Sequence, residues 1–137
     1  MANIAIISCV KTKRKGKMRA KDLYYSPLFK FSYAYTNKHY DRVIILSTLY
    51  GALDPNDEIE YYELTLNKMN AQQKRAWAYK VATQLKTKIQ TQDTLHYFCG
   101  LNYRRELIKQ LPNKYTEPLK GLGMGRQLQW YKRHLND

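Results

Sequence analysis

Asn3-Ile4-Ala5-Ile6-Ile7 is a short, almost wholly apolar, β-branched run. Such a run reads as a buried parallel strand. Arg42–Ser47 (RVIILS) and Thr94–Cys99 (TLHYFC) read the same way, and Tyr115–Pro118 fits a short fourth strand. The segments between them have helical signals. Ser26-Pro27 supplies an N-cap and a first-turn proline for a helix through Tyr35. Asn70 caps a long helix from Ala71 to about Thr87, with a partial 3.6-residue stripe through Ala76, Trp77, Tyr79, Val81, Ala82 and Leu85. Gly100 ends the third strand, and a helix from Asn102 runs to Leu111, where Pro112 stops it. Gln127–Leu135 reads as a final helix. The alternation predicts an α/β domain over residues 1–137, a three-layer sandwich with a mainly parallel four-stranded sheet.

In open α/β sheets the ligand lies beyond the carboxyl ends of the strands. That rule directs attention to Ser8–Asp22, Thr48–Glu58, Gly100–Arg104 and Leu119–Arg126. The first segment holds Lys11, Lys13, Arg14, Lys15, Lys17, Arg19 and Lys21 within eleven residues. A run this dense repels itself unless an anion neutralises it, so it reads as a phosphate clamp or a solvated loop. Cys9 stands just past the first strand, among lysines that favour a thiolate; a small half-buried apolar residue is the alternative. The second segment and its continuation carry Asp54, Asp57, Glu58, Glu60 and Glu63. These can act as a general base, or as turn formers and partners for the lysines. Gly121-Leu122-Gly123-Met124-Gly125-Arg126 resembles a phosphate-cradling glycine loop opening a helix.

Charge and aromatic content point to the partner. Lys and Arg number 24 against 11 Asp and Glu, a net charge of +13. A basic domain attracts polyanions through counterion release. The 13 tyrosines offer rings that stack on bases. Two cysteines are too few for a disulfide framework. No metal-ligand spacing, G-x-S-x-G elbow or cofactor motif occurs, and His39, His96 and His134 lie on different elements, so neither a metal nor a cofactor is expected. The start MANIAIISCV is too short for a signal h-region, and no stretch approaches the length of a membrane span. The expected location is the cytoplasm.

Taken together, Ser8-Cys9-Val10-Lys11-Thr12-Lys13, Asp22-Leu23-Tyr24-Tyr25-Ser26-Pro27-Leu28-Phe29, Leu46-Ser47-Thr48-Leu49-Tyr50-Gly51-Ala52-Leu53-Asp54-Pro55, Ile59-Glu60-Tyr61-Tyr62, Gly100-Leu101-Asn102-Tyr103-Arg104 and Pro118-Leu119-Lys120-Gly121-Leu122-Gly123 resemble a family of small bacterial and phage domains. That family is similar to the peroxide-stress DNA-binding protein YaaA and to the middle domain of archaeosine synthase. The resemblance implies a uracil-DNA-glycosylase-like fold and work on nucleic acid or a modified base. The chain departs from true uracil glycosylases: it has no Gly-Gln-Asp-Pro-Tyr-His after the first strand and no late His-Pro-Ser loop. The expected function is a DNA or RNA base glycosylase or base-modifying enzyme, with DNA ahead of RNA. The alternatives are a non-catalytic DNA-binding protein, or a phage protein that sequesters a small nucleotide. In the enzyme reading Tyr24, Tyr50 and Tyr103 line a pocket, and Ser8, Ser26 and Ser47 bond the base or a phosphate. Lys11, Lys13, Arg104 and Arg126 hold phosphate, with Gly51, Asn102, Gly121 and Gly123 shaping the rim. Asp54, Asp22 or Cys9 carries the chemistry.

Overall fold

The computed structural model describes residues 1–9 and 13–137. Strands β1 (Asn3–Ser8), β3 (Arg42–Ser47), β4 (Gly51–Leu53), β6 (Thr94–Tyr97) and β7 (Tyr115–Thr116) form one mixed sheet in the order β4-β3-β1-β6-β7. A separate antiparallel pair joins β2 (Lys17–Arg19) to β5 (Glu58–Glu60). The helices are α1 (Ala20–Leu23), α2 (Pro27–His39), α3 (Ala71–Lys88), α4 (Leu101–Gln110) and α5 (Met124–His134), with a 3-10 turn over Leu66–Lys68.

The β-branched runs behave as parallel strands buried on both faces. In β1, Ile4 and Ile6 pack on one side with Ile44, Leu46, Val81 and Leu85, under α3 and α4. Ala5 and Ile7 pack on the other with Val43, Ile45, Phe29 and Tyr131, under α2 and α5. Each fully buried Ile or Leu contributes roughly 1.5–3 kcal/mol, so the two cores fix both helix layers to the sheet.

The four-strand expectation is corrected to five. The additional strand, β4, lies in what reads as loop. Gly51 turns the chain at φ +83°, and Gly51–Leu53 then pairs antiparallel with Ser47–Ile45. The other four strands are parallel: β1 lies between β3 and β6, and β7 flanks β6. Their carboxyl ends therefore share one edge. β1 leads to α2 on one face, whereas β6 leads to α4 on the other. The crossover direction reverses between these two neighbours, which opens a crevice at their carboxyl ends.

The basic segment is tied down. Lys17–Arg19 pairs with Glu58–Glu60, placing Lys17 opposite Glu60 and Arg19 opposite Glu58, an arrangement that favours pairing. The Arg14 amide donates to the Leu23 carbonyl at 2.8 Å, and the Tyr61 amide donates to the Gly16 carbonyl at 3.2 Å. Arg14, Lys15, Lys17 and Arg19 nonetheless remain exposed.

Candidate functional site at the β1–β6 edge

Cys9 is fixed at this edge because its amide continues the β1–β3 ladder, donating to the Leu46 carbonyl at 2.8 Å. Its Sγ lies 3.3 Å from the Tyr103 hydroxyl and 3.5 Å from Thr48 Oγ1, and the residue is 7% exposed. Tyr103 reaches it from the first turn of α4, and Trp77 meets the Tyr103 ring edge-on, with centroids 5.6 Å apart. Cys99, the second cysteine, is buried, and desolvation pushes its thiol up to about 12.

A chain of hydroxyls runs beside Cys9. Ser47 Oγ donates to the Tyr62 hydroxyl at 2.9 Å, and Tyr62 and Tyr24 share a bond of 2.7 Å. Ser47 also accepts from the Tyr50 amide at 3.0 Å. Burial pushes Tyr24, Tyr62 and Tyr103 well above the usual phenol range, and negative charge on Cys9 would push the same way. These phenols stay protonated at neutral pH. Tyr24 and Tyr62 are buried with their hydroxyls bonded to each other; among the described residues no carboxylate joins the cluster.

The basic segment lies against three tyrosine rings, that of Tyr62 in this cluster and those of Tyr25 and Tyr61 beside it. Lys13 Nζ lies 4.7 Å from the centre of the Tyr62 ring, Arg14 4.9 Å from that of Tyr25, and Lys15 3.6 Å from that of Tyr61. Such cation–aromatic pairs hold a charge near a ring without neutralising it. Glu63 accepts from the Tyr61 hydroxyl. That bond, with Lys15 and Lys13 nearby, holds the Glu63 carboxyl below its ordinary range.

On the α2–α5 side of the same edge, Ser8, Leu28, Ser32, Phe98, Gln127 and Tyr131 line a small polar cleft. Both helices begin here. Ser26 caps α2 by accepting from the Phe29 amide at 3.2 Å. Gly123 begins α5 and supplies no side-chain cap.

The residues anticipated from sequence divide accordingly. Ser8, Cys9, Tyr24, Ser47 and Tyr103 gather at the edge, with Lys13 above them. Lys11 lies outside the described residues. Tyr50 packs edge-on against Tyr62, and its hydroxyl bonds the backbone of Glu60. Asn102 bonds Asn67 at 2.6 Å. Arg126, Gly121 and Gly123 are exposed around the start of α5.

Three residues do not have the setting anticipated for them. Asp54 follows the antiparallel β4, which carries it back towards the amino end of β3. There it meets Arg42 at 2.7 Å and Lys88 at 3.0 Å. Partial burial opposes its ionisation, but the hydrogen bonds from Arg42 and Lys88 hold the carboxyl below its ordinary range. Arg104 is buried, bonded to Glu117 at 2.7 Å and to the Cys99 carbonyl at 2.8 Å, so its guanidinium braces the β6–α4 turn. Asp22 is exposed on α1, outside the cluster around Cys9.

Sequence reasoning missed Thr48, Tyr62, Ser32, Gln127 and Tyr131. The last two stand four residues apart, on one face of α5, and that spacing was the available signal.

Among the described residues no helix is long and apolar enough to cross a membrane. No curated protein and no solved structure matches the chain significantly. Residues 4–133 match the model of DUF6884, a family of unknown function, and the chain belongs to that family.

Proposed function

We propose that this domain binds nucleic acid, DNA ahead of RNA, along the edge where the basic segment meets the tyrosine cluster. The observation that carries the reading is the row Lys13, Arg14 and Lys15, each laid against a tyrosine ring. Cations for phosphates interleaved with rings for bases are what a strand-binding surface needs. The net charge of +13 supports it, as does the antiparallel pairing that anchors the segment. The resemblance to YaaA and archaeosine synthase, with its uracil-DNA-glycosylase-like fold, agrees with this reading, as does a cytoplasmic location.

A second reading, a base-modifying enzyme, is favoured by the position of Cys9. Its sulfur lies within 3.5 Å of two hydroxyls, those of Tyr103 and Thr48, at the carboxyl edge of the parallel strands. Both readings are tested by fluorescence anisotropy on labelled single-stranded and duplex DNA, followed by mass spectrometry of the recovered strands. Binding that weakens with salt and leaves every strand intact supports the binder. A mass change lost in Cys9→Ser supports the enzyme. No binding at low salt overturns both.

A further inference from the structure

The cleft between α2 and α5 holds a group that packing alone does not explain. Tyr131 is 1% exposed, and among the described residues its hydroxyl is the buried polar side-chain atom without a hydrogen-bond partner. An unpaired buried hydroxyl is costly, and a phenylalanine would fill the same space without that cost. Tyr131 belongs to the wall of the cleft, with Ser8, Ser32 and Gln127.

The cleft has unused capacity to bond. Ser32 Oγ donates to the Phe29 carbonyl at 3.0 Å, which leaves its oxygen able to accept. Gln127 Nε2 donates to the Leu122 carbonyl at 2.8 Å, which leaves Oε1 to accept. Tyr131 can both donate and accept. Leu28 and Phe98 supply an apolar wall. The space is about 20 Å³, room for one water-sized group. Among the described residues, no charged side chain lines it.

We propose that this cleft receives the uncharged edge of one unstacked nucleobase, with a single carbonyl or amino group seated against Tyr131, Ser32 and Gln127. The proposal rests on the nucleic-acid reading and adds a preference for single strands. An ionised group would be desolvated there without a counter-charge, so a phosphate is excluded from the cleft itself. A recess between two helices reaches a base edge only when that base is splayed from its stack. The α5 amino end, where Gly123 supplies no side-chain cap, leaves first-turn amides for the adjoining phosphate. Gln127 follows directly on that turn, which couples the two contacts.

The test uses the full chain, single-stranded DNA of mixed sequence, and an abasic strand of equal length. Tyr131→Phe removes only the buried hydroxyl. The expected result is about tenfold weaker binding of the base-containing strand, the size of one lost hydrogen bond, with binding of the abasic strand unchanged. The melting temperature of the free variant should be equal to or above that of the wild type. Ser32→Ala, a change the α2 helix tolerates, should act in the same direction by several-fold and decides the matter if Tyr131→Phe is poorly folded. Wild-type affinity for both strands in both variants overturns the proposal. So does an equal loss on both strands, which would place the hydroxyl's effect on the backbone contact or on the fold. If the wild type binds neither strand, the nucleic-acid reading falls and this proposal falls with it. If it binds both strands equally, only the base site falls.

Discussion

Asp54 shows how one residue's setting changes its reading. In the sequence it is a carboxylate in a strand-end loop, three residues after Gly51, and a natural candidate for a general base. In the structure a glycine turn and three residues of antiparallel strand carry it to Arg42 and Lys88. Its folded pKa is depressed, so its contribution to stability is present above the unfolded value of about 4. That contribution is lost as pH falls through the folded value. Asp54→Asn should therefore cost about 1 kcal/mol at neutral pH, a pair of part-exposed ion pairs being worth little more. The variant should also flatten the acid limb of a urea-stability profile below about pH 4, while DNA affinity stays at the wild-type level. An equally steep acid limb in the variant would show that other carboxylates carry the acid sensitivity. The same lesson applies to Arg104: its guanidinium reads as a phosphate ligand in the sequence, but Glu117 and the Cys99 carbonyl engage it.

The element scale separates what was legible from what was not. Ile4, Ile6, Ile44 and Leu46 announced buried parallel strands because a sheet covered on both faces admits no polar alternation. Ser26-Pro27 and Asn70 marked helix starts because their chemistry is local, and both caps form. The short elements were hidden because their reasons are distant. β4 exists because Gln84 of α3 accepts from the Ala52 amide at 2.8 Å and donates to the Tyr50 carbonyl at 3.1 Å, contacts more than thirty positions away. β2 and β5 exist only as each other's partner. The site was legible as an edge but not as a set: Tyr103 and Cys9 meet across 94 positions, a pairing no local pattern encodes. Gly51 gives this scale its test. It has φ +83°, and a Cβ there would come within 2.0 Å of Gln84 Oε1. Gly51→Ala should destabilise the fold by about 2–3 kcal/mol, combining left-handed strain with loss of the Gln84 bonds. Gly16 has φ +102°, and a Cβ added there would meet nothing within 4 Å. Gly16→Ala should therefore cost only the conformational part, about 1–2 kcal/mol. Chemical denaturation of both variants gives the comparison. Equal losses would remove Gln84 from the account.

The whole molecule concentrates its asymmetry at one end. Four parallel strands deliver their loops to one edge, and the crossover reverses between β1 and β6, so Cys9, Tyr103 and the Tyr131 cleft all open there. Asp54 is engaged at the far end, on Arg42 and Lys88, whereas at this edge Glu117 pairs with Arg104, and Glu60 and Glu58 stand in register with Lys17 and Arg19. Lys13, Arg14 and Lys15 rest against rings, with the Glu63 carboxylate near Lys15 and Lys13. A polyanion arriving at the edge would release counterions in proportion to the cations it meets, and each phosphate contact adds about 0.7–0.9 to the slope of log affinity against log salt. Replacing Lys13, Arg14, Lys15 and Lys17 together with alanine should lower that slope by about three units. Lys17 contributes least if its register partner Glu60 already neutralises it, so restoring Lys17 alone should return less of the slope than restoring Lys15. The measurement is anisotropy on one labelled strand across a salt series for the wild type, the quadruple variant and the two restorations. A slope unchanged by the quadruple variant would move the phosphate path off the β2 side of the edge and onto the cations of α3, where Lys74 and Lys80 stand near the same rim.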